Sequence, residues 1–157
     1  MTAEAELMKL YSGRILALAA GLPRTGRLPT PDGTARARSP LCGSTVTVDL
    51  VVQDGRISDF AQDVKACALG QAAASVVGAN ILGLDRAQVQ AARDALHAML
   101  TADGPVPGAP FADLEVLEPA RAYRNRHASI LLAFDATLGA LDDAEKSAAT
   151  RDRAAAE

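Results

Sequence analysis

Asp54-Gly55 lies between two segments with β-type alternation, residues 45–52 and 56–64, and no other local pattern constrains the chain as tightly. Asp-Gly suits the two-residue turn of a hairpin, which needs positive φ at both central positions, and the flanking segments carry the Val, Thr, Ile and Phe that pleated strands favour. The stretch before the hairpin, residues 24–40, is rich in Pro, Gly, Thr and Arg. It reads as a loop with room for one short edge strand at residues 34–38. The sheet is therefore small and antiparallel, of two or three strands.

Around it the spacing predicts helices. Residues 5–20 are amphipathic and end at Gly21-Leu22-Pro23, a flexible position followed by a residue that cannot continue a helix. Three further tracts cover residues 67–82, residues 85–100 with Asp85 as N-cap, and a last one from Ser129 or slightly earlier to about Ala149. Residues 101–111 hold three prolines and read as an exposed loop, the natural place for an insertion. The end of the chain, residues 147–157, alternates Ala with charge and is expected to fray. No internal repeat is visible.

These elements define an α+β class with several helices packed on the small sheet. A chain of 157 residues with 49% apolar composition suits one domain spanning residues 1–157 with one core. Aromatics make up only 3% and Trp is absent, so that core must come from small aliphatic side chains on closely packed helices. A formal charge of −3 gives no broad basic field to attract nucleic acid or an anionic membrane surface. No apolar run approaches the roughly 20 residues that cross a bilayer. Residues 15–22 have the apolar content of a signal-peptide core, but they follow Glu4 and Glu6. Leu7, Leu10, Tyr11, Arg14, Ile15 and Leu18 instead fall at helical spacing. The expectation is a soluble cytoplasmic protein.

The only cysteines are Cys42, in Ser39-Pro40-Leu41-Cys42-Gly43, and Cys67, in Ala66-Cys67-Ala68-Leu69-Gly70. Two thiols do not make a disulfide framework, and a reducing compartment would keep both free. Cys67 opens a helix, where unpaired N–H groups and the positive dipole end favour thiolate, and Lys65 adds positive charge nearby. Gly43 lets the backbone turn closely beside Cys42. The alternative is that both are small buried hydrophobes, a common role for free cysteine. His97 belongs with the apolar face of its helix. Arg121, Arg124 and Arg126 form a basic cluster that is either a solvated face or, beside a thiolate site, a stabiliser of an anionic cluster or persulfide. No catalytic triad, P-loop or Gly-rich dinucleotide fingerprint is present.

Taken in order, these pieces resemble the U-type iron–sulfur cluster scaffolds (IscU, SufU and the N-terminal part of NifU). The matching stretches are Leu10-Tyr11 with Arg14-Ile15-Leu16, Pro40-Leu41-Cys42-Gly43, the hairpin, Cys67 followed by Ala72-Ala73-Ala74-Ser75, and Arg124 to Leu132. The resemblance covers roughly residues 10–141. It departs from the family at two points: Ser44 stands where the family has an Asp, and there is no third cysteine in the late stretch. An ungapped reading anchored on Arg126 and Asp135-Ala136 puts Ser129 at that third position, and a shift of two puts His127 there. Imidazole binds zinc or iron well whereas a serine hydroxyl is a poor ligand, so His127 is the better candidate if a third protein ligand is kept.

The resemblance implies a non-enzymatic scaffold or sulfur-relay protein. Cys42, Cys67 and His127 would hold iron, zinc or a transient iron–sulfur cluster and leave one tetrahedral position open. The implied partners are a cysteine desulfurase that supplies sulfur and the proteins that accept the cluster. Two other readings remain: a degenerate relative serving as a partner-binding or regulatory module, and a zinc-stabilised acceptor that relays persulfide.

Overall fold

The computed structural model describes residues 12–156. Helix α1 spans Gly13–Ala20, strands β1, β2 and β3 span Gly33–Arg38, Thr45–Gln53 and Arg56–Lys65, α2 spans Ala68–Asn80 and α3 spans Arg86–Thr101. A 3-10 helix, Ala112–Ala122, leads into α4, Arg124–Ala156. The three strands form one antiparallel sheet in the order β1-β2-β3, the α+β arrangement that the sequence implies.

The hairpin forms as its residues dictate. Asp54 and Gly55 adopt φ of 54° and 77°, and the pairing runs from Gln53 opposite Arg56 to Thr45 opposite Lys65, with one irregularity between Val51 and Val52. The central strand β2 buries Val46, Val48 and Leu50 completely, and β3 adds Ile57 and Phe60. The edge strand anticipated at residues 34–38 is present one residue longer, with Gly33 opposite Leu50.

Helix α4 lies across β1 and β2, and α2 is wedged between α1 and α4. These contacts are close because the interface residues are small. A side chain at Gly33 would run into the Ala140 carbonyl, and a Cβ at Gly139 would sit 2.9 Å from Ala35 Cβ. Along α2, Leu69, Ala72, Ala73, Ala74, Val76 and Val77 are all buried, which is how a chain poor in aromatics fills its centre. Phe111 and Phe134 make the one aromatic pair found among the described residues, edge to face at 5.2 Å.

The loop before β1 is pinned to the sheet by Asp49, whose side chain is fully buried on β2. Its carboxylate accepts hydrogen bonds from Arg27 (2.7 and 3.1 Å), the Leu28 amide (3.0 Å) and the Thr34 hydroxyl (2.6 Å). Burial disfavours the charge, but these donors outweigh it and hold Asp49 below the usual carboxylate range.

Asp85 caps α3 as expected, in a complete capping box with Gln88. The elements after α3 add to the sequence reading. Residues 112–122, to which it assigned no element, form the 3-10 helix around Pro119. Helix α4 begins at Arg124, ahead of Ser129. Its helical span runs on to Ala156, through a stretch rich in the strong helix formers Ala and Arg whose side chains are exposed from Ala149 onward. Of the helix expected at residues 5–20, the part before Ser12 lies outside the described residues. The rest is capped by the Ser12 hydroxyl, which accepts from the Ile15 amide. No described helix is long and apolar enough to cross a membrane.

Candidate thiol site

The turn from β1 into β2 closes on itself. Ser39 donates its amide to the Ser44 carbonyl and Gly43 donates to the Ser39 carbonyl, both at 2.9 Å, and Gly43 takes φ of 71°, where a side chain would be strained. Ser39 and Ser44 turn inward and are buried, leaving Leu41 and Cys42 at the exposed tip. The Cys42 sulfur lies 3.2 Å from Ser39 Oγ and 3.1 Å from Ser44 Oγ. Partial burial works against ionisation of the thiol. Hydrogen bonding with the Ser39 and Ser44 hydroxyls, the Ser44 backbone and the Ser129 hydroxyl outweighs it and brings the Cys42 pKa down to about 7.

Cys67 is the N-cap of α2, half-buried, with its carbonyl accepting from Gln71. Its sulfur lies 3.5 Å from Ser129 Oγ. Ser129 is almost fully buried, in the second turn of α4, and donates to Ser44 Oγ at 3.1 Å. Residues from three separate segments thus meet: Cys42 and Ser44 from the β1–β2 turn, Cys67 from the start of α2, and Ser129 from α4. Gly70 permits the meeting, because a Cβ there would sit 2.7 Å from Ser129 Oγ and 2.9 Å from Ala66 Cβ.

His127, expected as a third ligand, makes its contacts elsewhere. On an α-helix, positions two apart differ by about 200°, so residues 127 and 129 point to nearly opposite sides. His127 is buried and its Nε2–H donates to the Ala120 carbonyl at 2.9 Å. It lines a cleft of about 410 Å³ with Leu100, Thr101, Asp103, Arg121 and Arg124. Arg121 has a structural task there, donating to the Met99 carbonyl at 2.6 Å and the Gly104 carbonyl at 2.8 Å. Lys65 is exposed at the end of β3, and His97 is exposed on α3 beside Thr101.

Sequence reasoning missed Ser39 as a participant. Its signal was the Ser-x-x-Cys spacing inside a segment already recognised as a turn. Among the described residues no three His, Cys, Asp or Glu side chains gather to hold a metal ion. The site is two thiols and three hydroxyls.

The N-terminal part of a nitrogen-fixing NifU-like protein from Brucella abortus is 47% identical to this chain, covering 90% of this chain and 98% of its own, with a TM-score of 0.87. This chain belongs to the NifU-like family. Its fold is shared more widely. An iron–sulfur cluster assembly scaffold protein for the SUF system from Fervidobacterium islandicum matches with a TM-score of 0.74 at 18% identity, over 84% of this chain and 96% of its own. A hypothetical protein of solved structure matches with a TM-score of 0.76 at 18% identity, over 85% and 97%. No family model matches the sequence, and no match is found among curated proteins. Ser44 and Ser129 touch each other, and both face the thiols.

Proposed function

We propose that this chain works in iron–sulfur cluster assembly as a non-enzymatic, scaffold-like protein that takes up sulfur and iron at Cys42 and Cys67. The sulfur comes from a cysteine desulfurase, and the cargo passes to acceptor proteins. The observation that carries the reading is that both thiols meet one linked pair of buried hydroxyls, Cys42 at Ser44 and Cys67 at Ser129, in a NifU-like fold. Soft thiolates suit iron and sulfur, and the exposure of Cys42 lets a partner's sulfur reach it.

The donor set limits what is held. A cluster takes four protein ligands, usually thiolates, whereas this site offers two, and its hydroxyls are poor ligands at neutral pH. Ions or sulfur held here remain open to ligands from a partner, which favours handing cargo on over storing it. Zinc bound to the same two thiolates would share that open character. The pair Ser44 and Ser129 supports one rival, a family member that keeps the docking surface for its partners without building clusters.

The test is anaerobic incubation of the reduced protein with ferrous iron and sulfide, followed by desalting and visible spectroscopy. Thiolate-to-iron absorption retained by the parent chain and lost in Cys42→Ser and Cys67→Ser supports the scaffold-like reading. A colourless, iron-free parent sample favours the rival.

A further inference from the structure

The two edges of the sheet are finished differently. On β3 the outer edge is paired at two points. The Gln62 amide donates to the Arg24 carbonyl and the Gly26 amide to the Gln62 carbonyl, both at 2.9 Å. Further along, the Ile57 amide donates to the Leu84 carbonyl at 2.9 Å and the Gly83 amide to the Ile57 carbonyl at 2.8 Å. On the opposite edge, the Thr34 amide of β1 points outward, donating to the Asp143 carboxylate on α4 at 2.9 Å, while the Ser39 amide just past β1 points inward to the Ser44 carbonyl. Backbone direction along an antiparallel strand repeats every second residue, so the amides and carbonyls of Arg36 and Arg38 also point outward. There they have no backbone partner among the described residues.

Their side chains are unpaired as well. Ala35 and Ala37 pack toward the core, so Arg36 and Arg38 project from the other face of the sheet. Both are exposed there, and neither forms an ion pair among the described residues. Lys65 shares that face in the row Arg38, Thr45, Lys65. Asp63, in the next row, acts on Arg27. Charged side chains on an open edge guard against indiscriminate pairing, and charges of one sign still admit a strand of the other.

We propose that β1 is a docking edge for an acidic, extended segment of a partner protein, which joins the sheet as a fourth strand beside Arg36 and Arg38. The segment's backbone pairs with the outward amides and carbonyls, and its alternate Asp or Glu side chains lie next to the two guanidinium groups, one strand spacing of about 4.8 Å away. Asp143 occupies the Thr34 amide and Pro40 has none, which confines the pairing to residues 34–38. A second copy of this chain is a poor occupant, because β1 against β1 sets the arginines of one copy beside those of the other. The edge leads into the turn that carries Cys42, so a docked segment runs toward the thiol site. The docking uses neither cysteine and stands or falls independently of what the thiols hold.

The test is NMR of the reduced, isotope-labelled full chain with an acetylated, amidated pentapeptide of alternating Val and Glu, and with its Lys counterpart at the same millimolar concentration. The Glu peptide is expected to shift the Arg36 and Arg38 amides and slow their hydrogen exchange at least about threefold, leaving the β2–β3 turn unmoved. The Lys peptide should do neither. Arg36→Pro removes an outward amide without touching the β2 side and should abolish protection at Arg38. Should that variant misfold, Arg36→Glu combined with Arg38→Glu serves instead and should reverse the preference, binding the Lys peptide and not the Glu peptide. No protection with the Glu peptide, or shifts that free glutamate reproduces, overturns strand addition. Equal protection by both peptides overturns the charge selection. Protection that rises with protein concentration in the absence of peptide makes a second copy the occupant and overturns the acidic partner.

Discussion

Ser129 and His127 sit two residues apart on α4 and lead different lives. Ser129 faces the β1–β2 turn and the head of α2, where it donates to Ser44 and lies against Cys67. His127 faces the 3-10 helix, where it ties the α4 start to the Ala120 carbonyl beside a cleft lined by Arg121 and Arg124. The residue with the better ligand chemistry is on the wrong side of the helix, and the residue with the poorer chemistry is at the site. Ligand quality cannot be weighed until the helix phase is known, because a step of two residues turns a side chain by about 200°.

The largest effect that would sharpen this contrast is on stability. His127→Ala leaves the Ala120 carbonyl unpaired in a buried setting and removes packed volume, so it should cost about 1–3 kcal/mol in denaturant unfolding. Iron uptake and Cys42 reactivity should stay unchanged. Loss of iron uptake in a folded His127→Ala protein would break the comparison.

Gly70→Ala probes the other side of the helix. Its methyl group would press on Ser129 Oγ and Ala66 Cβ, backed by two packed helices, at about 1–3 kcal/mol for overpacking. Here the thiol site should suffer along with the fold, read as a changed rate of alkylation at Cys67. His127→Ala should leave that rate as it is.

The smallest effect is in the titration of Cys42. Its iodoacetamide reactivity should rise with pH as thiolate forms, with a midpoint of about 7 in the parent protein. Ser39→Ala and Ser44→Ala each remove a donor to the thiolate, so each should move that midpoint upward, toward the ordinary thiol value of about 8.5. A midpoint unmoved by both substitutions would mean that the serine shell does not act on the sulfur.

The sequence carried the hairpin in full, since Asp54-Gly55 admits few other conformations and the flanking alternation fixes which face is buried. It also carried both thiols and their settings, a glycine turn and a helix start, because those depend on residues within a few positions. The 3-10 helix was harder to see. Leu114, Leu117 and Ala120 are buried at every third position, the period of a 3-10 helix, which the 3.6-residue period sought for α-helices passes over. The third member of the site was open for another reason. Both registers fit the local residues, and which of the two side chains lies against α2 depends on the approach of α2 through Gly70 to α4. Ser39 joins the site through a turn closed by its own amide and carbonyl, a feature that spacing alone does not reveal.

The central claim is that the face of α4 carrying Ser129, and not the face carrying His127, completes the thiol site. It is tested most directly by placing a thiol at each position in turn and titrating the reduced proteins with cobalt(II) against a chelator, reading the thiolate-to-cobalt absorption. Ser129→Cys should bind cobalt more tightly than the parent and show stronger charge-transfer absorption, because a third thiolate then joins Cys42 and Cys67. His127→Cys should match the parent in affinity and spectrum. Tighter binding and added absorption in His127→Cys, with none in Ser129→Cys, would contradict the account.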